Sequence, residues 1–285
     1  MLRLDVGETT LRIGCRVPEF LTSFRLLYSR YPCALDGEFD FDIAVDAPSP
    51  IRRWLMRNAT FRLSGDAPFL PMPVDHAHAL FEWGANWVVG AYAHQYLIVH
   101  SAVLEFAGAG VMFVAVSGGG KSTLASELAL SGWRLLSDEM ALIKGPTPML
   151  VPHPRPVSLK NRSIDLIRSR HPEAVLGPVA RDTHKGTIAH LRAPASSVDR
   201  ALEPARPTLI VFPKWAPDAH LSVSAVGAGA TAMRLIDQSF NYPVLGEDGF
   251  KRLADLVEMA PAWELAYSSL DDARRVLEEL VAEHA

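Results

Sequence analysis

The glycine-rich run AVSGGGKS, at residues 115–122, constrains the fold of this chain more than any other segment. An apolar stretch, VMFVAV, leads into it, and STLASELALSG, a segment of helical composition that ends at Gly132, follows it. An apolar run without alternation predicts a strand buried on both faces, as in a sheet covered by helices. A buried strand, a glycine loop and a helix in succession therefore predict an α/β domain.

The same run matches the phosphate-binding pattern GxxxxGK[ST], known as Walker A, except that Ala115 occupies the first glycine position. Glycines let backbone N–H groups converge on phosphate oxygens at the N-terminal end of the following helix. In this pattern the lysine, Lys121, contacts the β- and γ-phosphates, and the Ser122 hydroxyl binds Mg²⁺. The predicted nucleotide-binding residues are Ser117, Gly118, Gly119, Gly120, Lys121, Ser122 and Thr123.

Two adjacent acids, Asp138 and Glu139, interrupt WRLLSDEMALI (residues 133–143), which is predicted to be one strand. Ligands of open α/β sheets bind at the carboxyl edge, so acids at this point suit metal binding and base chemistry. Adjacent strand residues point to opposite faces. One acid would therefore abstract a proton, while the other would hold Mg²⁺ directly or through water. A solvated strand end is the alternative interpretation.

A histidine, His100, lies inside YLIVHSAVLEF (residues 96–106), the strand predicted before the glycine-rich run. A lone histidine on an apolar strand is more often a hydrogen-bonded core residue than a catalytic one. The residues alone leave both interpretations open.

Together these blocks resemble the HPr kinase/phosphorylase family of bacterial serine kinases, whose phosphate loop is of a type shared with phosphoenolpyruvate carboxykinase. The blocks are His100, the loop AVSGGGKS, and GWRLLSDE, in which a Gly-x-Arg-Leu pattern leads to paired acids. RPVSLKNRSIDLI, VLGPVARDTHKGTIAHLRAP, VFPKW and FNYPVLGEDGF are similar to the subfamily called HprK-related kinase A. The resemblance covers residues 96–260 and implies an HPr kinase/PEP carboxykinase-like P-loop core, with a mixed sheet and flanking helices.

The resemblance also implies roles for individual residues. Asp138 matches the acid that acts as general base on the acceptor serine, and Glu139 matches the second acid, with a role in holding the metal. His100 matches the family histidine near the phosphate site, and Lys121 and Ser122 match the catalytic lysine and the metal-binding hydroxyl. Glu139 replaces the usual aspartate, and no segment of this chain aligns with the signature of the family's phosphorylase activity.

The function implied by the resemblance is transfer of the γ-phosphate of ATP, with Mg²⁺, to a hydroxyl of a serine in a peptide or protein. Related kinases are associated with small PqqD-like peptide-binding proteins, which makes such a protein a candidate partner, and the parent family's homo-oligomers leave oligomerisation open. The alternatives are a kinase for a small hydroxylated metabolite and a nucleotide-gated peptide-binding module without transfer. A GTPase is disfavoured, since the sequence has no N-K-x-D segment for reading guanine.

Basic and polar residues are concentrated between residues 155 and 192. Stabilising a phosphoryl group during transfer requires cations beyond one lysine, and Gly186 would allow the backbone to approach an anion closely. A solvated charged surface is the alternative interpretation of such a run. The candidate substrate or phosphate contacts are Arg155, Lys160, Lys185, Thr187 and Arg192.

Two domains are predicted. Residues 1–92 contain runs such as LRLDV and FDFDIAV, which mix apolar and polar residues and indicate a smaller, β-rich α+β lobe for substrate or partner binding. Residues 93–285 form the predicted kinase domain. Three segments with 3.6-residue periodicity predict that the C-terminal third is helical.

Composition argues against several other classes. With 28 Lys and Arg against 32 Asp and Glu, the net charge of -4 argues against nucleic-acid binding, which needs clustered cations. Two cysteines, Cys15 and Cys33, supply neither a disulfide scaffold nor a four-cysteine zinc site, as expected for the reducing cytoplasm. The stretch Trp83–Leu104 has no charged residue, but its polar residues and the lack of basic flanks favour a buried helix and strand over a membrane span.

Overall fold

The computed structural model describes residues 1–47, 57–116 and 118–284. The strands of these residues are β1 (Leu2–Val6), β2 (Thr9–Cys15), β3 (Cys33–Ala34), β4 (Phe41–Asp46), β5 (Asn58–Leu63), β6 (Met72–Pro73), β7 (Tyr96–Val99), β8 (Ala102–Phe106), β9 (Ala109–Phe113), β10 (Arg134–Ser137), β11 (Ala141–Lys144), β12 (Met149–Val151), β13 (Val157–Lys160), β14 (Ala180–Thr183), β15 (Gly186–Leu191), β16 (Arg206–Trp215), β17 (Ser222–Val226) and β18 (Ala262–Tyr267). The helices are α1 (Pro18–Leu27), α2 (Ala77–Tyr92), α3 (Lys121–Leu130), α4 (Arg162–Arg170), α5 (Ala195–Asp199), α6 (Ala228–Asp237), α7 (Tyr242–Met259) and α8 (Leu270–His284), with a 3₁₀ turn at Val74–His76. The fold is α/β, as predicted.

The chain divides into two units, each assembled from two separate stretches of sequence. The first unit comprises residues 1–89 and 155–199, and the second comprises residues 90–154 and 200–285. The first break lies close to the boundary predicted at 92/93. The stretch 155–199, which sequence analysis assigned to the kinase domain, groups instead with the N-terminal residues, because its buried contacts are made there.

The first unit contains a six-stranded sheet of order β3-β1-β2-β4-β5-β6 and a three-stranded sheet of order β13-β15-β14. In β2 the side chains of Thr9, Leu11 and Ile13 are buried, while Thr10 and Arg12 between them are more exposed. This alternation is the half-solvated sheet that the sequence pattern predicted. Helix α1 buries Phe20, Phe24 and Leu27, which recur at the spacing of one helix face.

The second unit contains a six-stranded mixed sheet of order β10-β8-β9-β16-β18-β17 and a three-stranded sheet of order β12-β11-β7. All five residues of β9 are buried, as predicted for a strand at this point, but β9 begins at Ala109 and ends at Phe113. The predicted run 111–116 extends past the end of the strand, where Val116 is exposed. Strand β16, the neighbour of β9, runs parallel to it, and β18 runs parallel to β16. The strand that leads into the glycine-rich run therefore lies inside the sheet.

Two predicted strands are each broken in the structure, and both breaks have the same cause. The stretch 96–106 forms β7 and β8, because Val99 pairs with Ala141 in the smaller sheet whereas Ala102 pairs with Phe113 in the larger one. The stretch 133–143 likewise forms β10 in the larger sheet and β11 in the smaller one. Each segment changes sheet, so neither can continue as one strand.

The C-terminal third contains the three predicted helices as α6, α7 and α8. It also contains β17 and β18, which the prediction of helix alone omitted. Strand β18 has six residues, of which Ala262, Leu265 and Tyr267 are buried. This spacing does not alternate strictly, and the segment is short, so the helical periodicity on both sides of it hid the strand. Among the residues that the structure describes, no helix combines the length and the apolar character needed to cross a bilayer.

Candidate active site

The carboxyl ends of several strands of the second unit meet at one edge of the six-stranded sheet. Strands β9, β16 and β18 are parallel. Strand β10 runs the same way as β9, since both are antiparallel to the intervening β8. The residues that follow Phe113, Ser137 and Trp215 therefore share this edge. In open α/β sheets this is the edge that binds ligands.

The glycine-rich loop connects β9 to α3 at this edge. Ser117, one of the predicted nucleotide-binding residues, lies outside the described residues. Gly118 and Gly120 have φ values of 90° and 85°, a region that favours glycine. A Cβ atom on Gly120 would lie 3.1 Å from the Cβ of Trp215, so this position has little room for a side chain. The loop backbone thus depends on glycine at position 120 for two reasons.

Lys121 and Ser122, the first residues of α3, both contact Asp138. Lys121 Nζ donates to the Asp138 backbone oxygen at 2.6 Å, and Ser122 Oγ donates to Asp138 Oδ2 at 3.0 Å. Lys121 and Asp138 are buried, with 6% and 4% of their surface exposed. Asp138 follows the last residue of β10, where the predicted strand leaves the sheet.

His100 and Glu139 form a second pair at the same edge. His100 Nε2 lies 3.3 Å from Glu139 Oε2, and both side chains are partly exposed. The backbone N–H of His100 donates to the Gln238 carbonyl at 2.7 Å. The centre of the His100 ring lies 6.0 Å from the centre of the Phe240 ring. His100 is therefore held at the β7–β8 break and is not a core histidine in the middle of a strand.

The two acids have different neighbours in the structure. Sequence analysis assigned Ser122 and Glu139 to the metal and Asp138 to the proton. In the structure, the carboxylate beside the Ser122 hydroxyl is that of Asp138, and the Glu139 carboxylate lies beside His100. The reason is the sheet change: Asp138–Met140 is a connection rather than a strand, with the Met140 N–H bound to Ser137 Oγ at 3.2 Å.

Most of the predicted site residues come together in the second unit, and five do not belong to it. The residues at the sheet edge are His100, Gly118, Gly119, Gly120, Lys121, Ser122, Thr123, Asp138 and Glu139. The candidate phosphate or substrate contacts of the basic stretch belong to the first unit; they are Arg155, Lys160, Lys185, Thr187 and Arg192.

Arg155 is buried in the first unit, which does not fit the prediction that it contacts phosphate or substrate. Its guanidinium forms an ion pair with Glu82 and donates to Asn86 Oδ1 at 2.7 Å and to the Glu82 carbonyl at 2.9 Å. Tyr28 donates to Glu82 Oε1 at 2.8 Å. Burial opposes ionisation of Glu82, but the charge of Arg155 and a hydrogen bond with His78 outweigh it and hold the pKa of Glu82 well below its usual range. Arg155 therefore joins the two stretches of the first unit.

The other basic candidates lie on or beside the β13–β15 ladder. The Thr187 N–H donates to Asn161 Oδ1 at 3.1 Å, and the Asn161 N–H donates to the Thr187 carbonyl at 2.8 Å. Lys185 Nζ lies 5.0 Å from the centre of the Trp83 ring, a cation–π contact. Lys160 ends β13, and the Arg192 N–H donates to the Val175 carbonyl at 2.9 Å.

Sequence reasoning missed a pocket beside the glycine-rich loop. Lys214 and Arg234 contribute to its lining, and both pair with Glu264, at 2.8 Å and 3.2 Å. The hydrogen bond from Lys214 is the main cause that lowers the pKa of Glu264. The signal for this pocket was the segment VFPKW, which ends a buried strand at the same sheet edge as the loop.

A metal ion at this edge would have few protein ligands. Among the described residues, no group of three or more His, Cys, Asp or Glu side chains is arranged to hold a metal ion. Magnesium commonly uses only one or two carboxylates and completes its shell with water and substrate phosphates. Ser122 and Asp138 place a hydroxyl and a carboxylate oxygen side by side at this edge.

Comparisons with known proteins do not identify a family for this chain. No family model matches it, and no curated protein matches it. One similar solved structure is that of the Hpr(Ser) kinase/phosphatase from Coxiella burnetii, at 12% sequence identity, covering 65% of this chain and 94% of that chain, with a TM-score of 0.29. A TM-score this low supports no conclusion about fold or function, both of which rest on the residues described above.

Proposed function

We propose that this chain is a kinase that uses ATP and Mg²⁺ to phosphorylate a hydroxyl, that of a serine in a peptide or protein. The observation that carries the proposal is the convergence of Lys121 and Ser122, at the start of α3, on Asp138. A lysine, a hydroxyl and a carboxylate beside a glycine-rich loop are the groups that phosphoryl transfer requires. The resemblance of the sequence blocks to serine kinases supports the choice of acceptor.

The glycine-rich loop and the start of α3 would bind the phosphates. N–H groups in the first turn of a helix lack intrahelical partners, and the helix dipole adds partial positive charge there. Lys121 adds a full charge, and its ammonium has three N–H donors, of which the contact with the Asp138 carbonyl uses one. Because Lys121 is buried, its charge is only weakly screened by solvent.

Ser122 and Asp138 fit the requirements of Mg²⁺. Both supply oxygen, and their oxygens are 3.0 Å apart, close to the spacing of adjacent ligands in an octahedron with metal–oxygen distances of about 2.1 Å. Bound there with the nucleotide, the ion would neutralise charge that develops on the phosphate oxygens. We therefore assign Asp138 to the metal, in place of Glu139.

Glu139 is the better placed of the two acids to act as general base. A base for the hydroxyl of a peptide must be reachable from outside, and 31% of the Glu139 side chain is exposed, whereas Asp138 is buried. His100 fixes the orientation of the Glu139 carboxylate through the contact at 3.3 Å. In transfer, the acceptor oxygen forms a bond to the γ-phosphorus, the bond from that phosphorus to the β–γ bridging oxygen breaks, ADP leaves, and the hydroxyl proton passes to Glu139.

Mass spectrometry of the full chain with ATP, Mg²⁺ and peptides or proteins encoded beside it would test the proposal. We expect one added phosphate on a serine of a partner, such as a PqqD-like peptide-binding protein or its peptide, and none with Lys121→Ala. The control is Lys144→Ala, which removes an exposed lysine of β11 and should leave transfer unchanged.

Two outcomes would contradict the proposal in different ways. Phosphate found on a small hydroxylated metabolite, with none on any peptide, would retain the kinase and replace its acceptor. Nucleotide binding that changes affinity for a peptide without any phosphorylated product would indicate a nucleotide-gated binding module. Size-exclusion chromatography with light scattering of the same sample would show whether the chain forms a homo-oligomer.

A further inference from the structure

A pocket of about 410 Å³ adjoins the glycine-rich loop and contains none of the acids assigned to metal or proton. Its volume lies in the range of small-molecule sites, about 300–1,000 Å³. Ala115, Val116 and Gly119 contribute one side, and the ends of β16 and α6 contribute the other. The pocket therefore shares its wall with the loop that would hold the phosphates.

Trp215 contributes an aromatic side chain to the lining of this pocket. Its Nε1–H donates to the Ser268 carbonyl at 3.3 Å, and its Cβ packs closely against the backbone of Gly120. Half of its surface is nevertheless exposed. A half-exposed tryptophan that is held by a hydrogen bond can stack on a planar base with little loss of side-chain freedom.

The charged side chains in and beside the pocket balance, which distinguishes it from a phosphate site. Arg234 lies over the Phe212 ring, with Cζ 4.7 Å from the ring centre, and shares Glu264 with Lys214. Asp237 supplies a carboxylate to the lining itself, whereas Glu264 lies behind the two cations, outside the lining. Two cations and two carboxylates leave no net charge, so the pocket suits a neutral ligand that combines an aromatic ring with hydrogen-bonding groups. A nucleobase with its ribose is such a ligand.

The position of the pocket relative to the acids agrees with this assignment. In the sheet, β9 lies between β8 and β16, and the acids follow β10 beyond β8. Trp215 ends β16, on the other side of the glycine-rich loop. A triphosphate in the loop with its γ end at Lys121 and Asp138 would direct its nucleoside away from the acids, toward β16.

We infer that this pocket binds the base and ribose of the phosphate donor, with Trp215 stacked on the base. The inference rests on the proposed function and narrows it, because it makes the donor a nucleoside triphosphate recognised through its nucleoside. A donor held by its phosphates alone, such as pyrophosphate, would leave the pocket without a role.

Titration calorimetry with Mg²⁺ and either ATP or tripolyphosphate, on the full chain, separates the two parts of the ligand. We expect Trp215→Ala to weaken ATP binding by about 5- to 100-fold, the range for loss of one base-stacking contact, and to leave tripolyphosphate binding unchanged. Trp215→Phe should recover most of the affinity for ATP. The alanine variant keeps the Cβ that packs on Gly120, and Trp87→Ala, which removes a partly exposed tryptophan of the first unit, is the matched control.

The possible outcomes test this inference and the proposed function separately. If wild-type protein binds neither ligand, the proposed function fails. If it binds both and Trp215→Ala leaves the affinity for ATP unchanged, the pocket does not hold the nucleoside, although the kinase proposal stands. If Trp215→Ala weakened binding of the acceptor but not of ATP, the inference would likewise be overturned.

Discussion

His100 Nε2 lies 3.3 Å from Glu139 Oε2, in a contact produced by two neighbouring changes of sheet. The chain passes from the three-stranded to the six-stranded sheet at His100 and returns at Asp138–Met140. Because β7 and β11 are paired at Val99 and Ala141, the residues just beyond that pair meet. The topology therefore separates the two adjacent acids, one toward Ser122 and the other toward His100.

Exchanging each acid for its amide should produce two different defects. Glu139→Gln should lower the rate of transfer by about 10²- to 10⁴-fold, the range for loss of a general base, with the affinity for ATP and Mg²⁺ unchanged. Asp138→Asn should raise the Mg²⁺ concentration needed for ATP binding. Loss of transfer in Asp138→Asn with unaltered Mg²⁺ dependence would instead identify Asp138 as the base.

Removing the Lys121 ammonium should weaken nucleotide binding itself. Hydrogen bonds to charged groups contribute about 1.5–3 kcal/mol each, so Lys121→Ala should raise the dissociation constant of ATP by about 10- to 100-fold. The measurement is calorimetric titration with ATP and Mg²⁺, with Lys144→Ala as control. An affinity within twofold of the wild type would remove the phosphate-binding assignment of the loop.

A methyl group at position 120 should disturb the loop through its backbone and through Trp215. Gly120 has a φ of 85°, which costs an alanine about 1–2 kcal/mol, and its Cβ would lie 3.1 Å from that of Trp215. Gly132→Ala is the matched control, since Gly132 has a φ of 104° and a Cβ added there would meet no atom within 4 Å. Both variants should lose stability in urea unfolding, but only Gly120→Ala should lose affinity for ATP. Equal affinities for ATP in the two variants would contradict the assignment of the Gly120 backbone to phosphate binding.

Breaking the buried ion pair of the first unit should destabilise the protein strongly. Arg155→Met leaves the Glu82 carboxylate buried without its cation, which costs about 3–5 kcal/mol. The control, Arg168→Met, removes an exposed arginine of α4 and should change the free energy of unfolding by less than about 0.5 kcal/mol. Urea unfolding of the full chain measures both. A loss in Arg155→Met no larger than in the control would show that the pair contributes nothing.

The same pair should make stability depend on acidic pH. Because the pKa of Glu82 is lower in the folded than in the unfolded state, its ionised form stabilises the fold above the unfolded value of about 4.3. That contribution should decrease as the pH falls below this value toward the lower folded pKa. Urea unfolding between about pH 6 and pH 2.5 would measure this loss of stability. In Glu82→Gln the free energy of unfolding should depend less steeply on pH over that range. An unchanged slope in the variant would contradict the assignment.

Local sequence pattern predicted the strand, glycine loop and helix around Lys121, since both the apolar run and the glycines are short-range signals. The breaks at His100 and at Asp138 were not predictable, because periodicity does not tell which sheet a strand joins. The pocket at Trp215 was missed for a related reason. Its two cations are held by Glu264 of β18, a strand that the surrounding helical pattern concealed.

The two-stretch composition of each unit has a consequence for how the chain is made. Residues 155–199 complete the first unit, so the Arg155–Glu82 pair cannot form until that second stretch has left the ribosome. The second unit likewise depends on its later stretch, because β9 pairs with β16 and β16 pairs with β18. Its six-stranded sheet cannot be completed until both of these strands have been synthesised. The chain crosses between units at 89/90, 154/155 and 199/200. Cutting it at 92/93 would therefore separate the two stretches of the first unit, while the second unit would lose only residues 90–92.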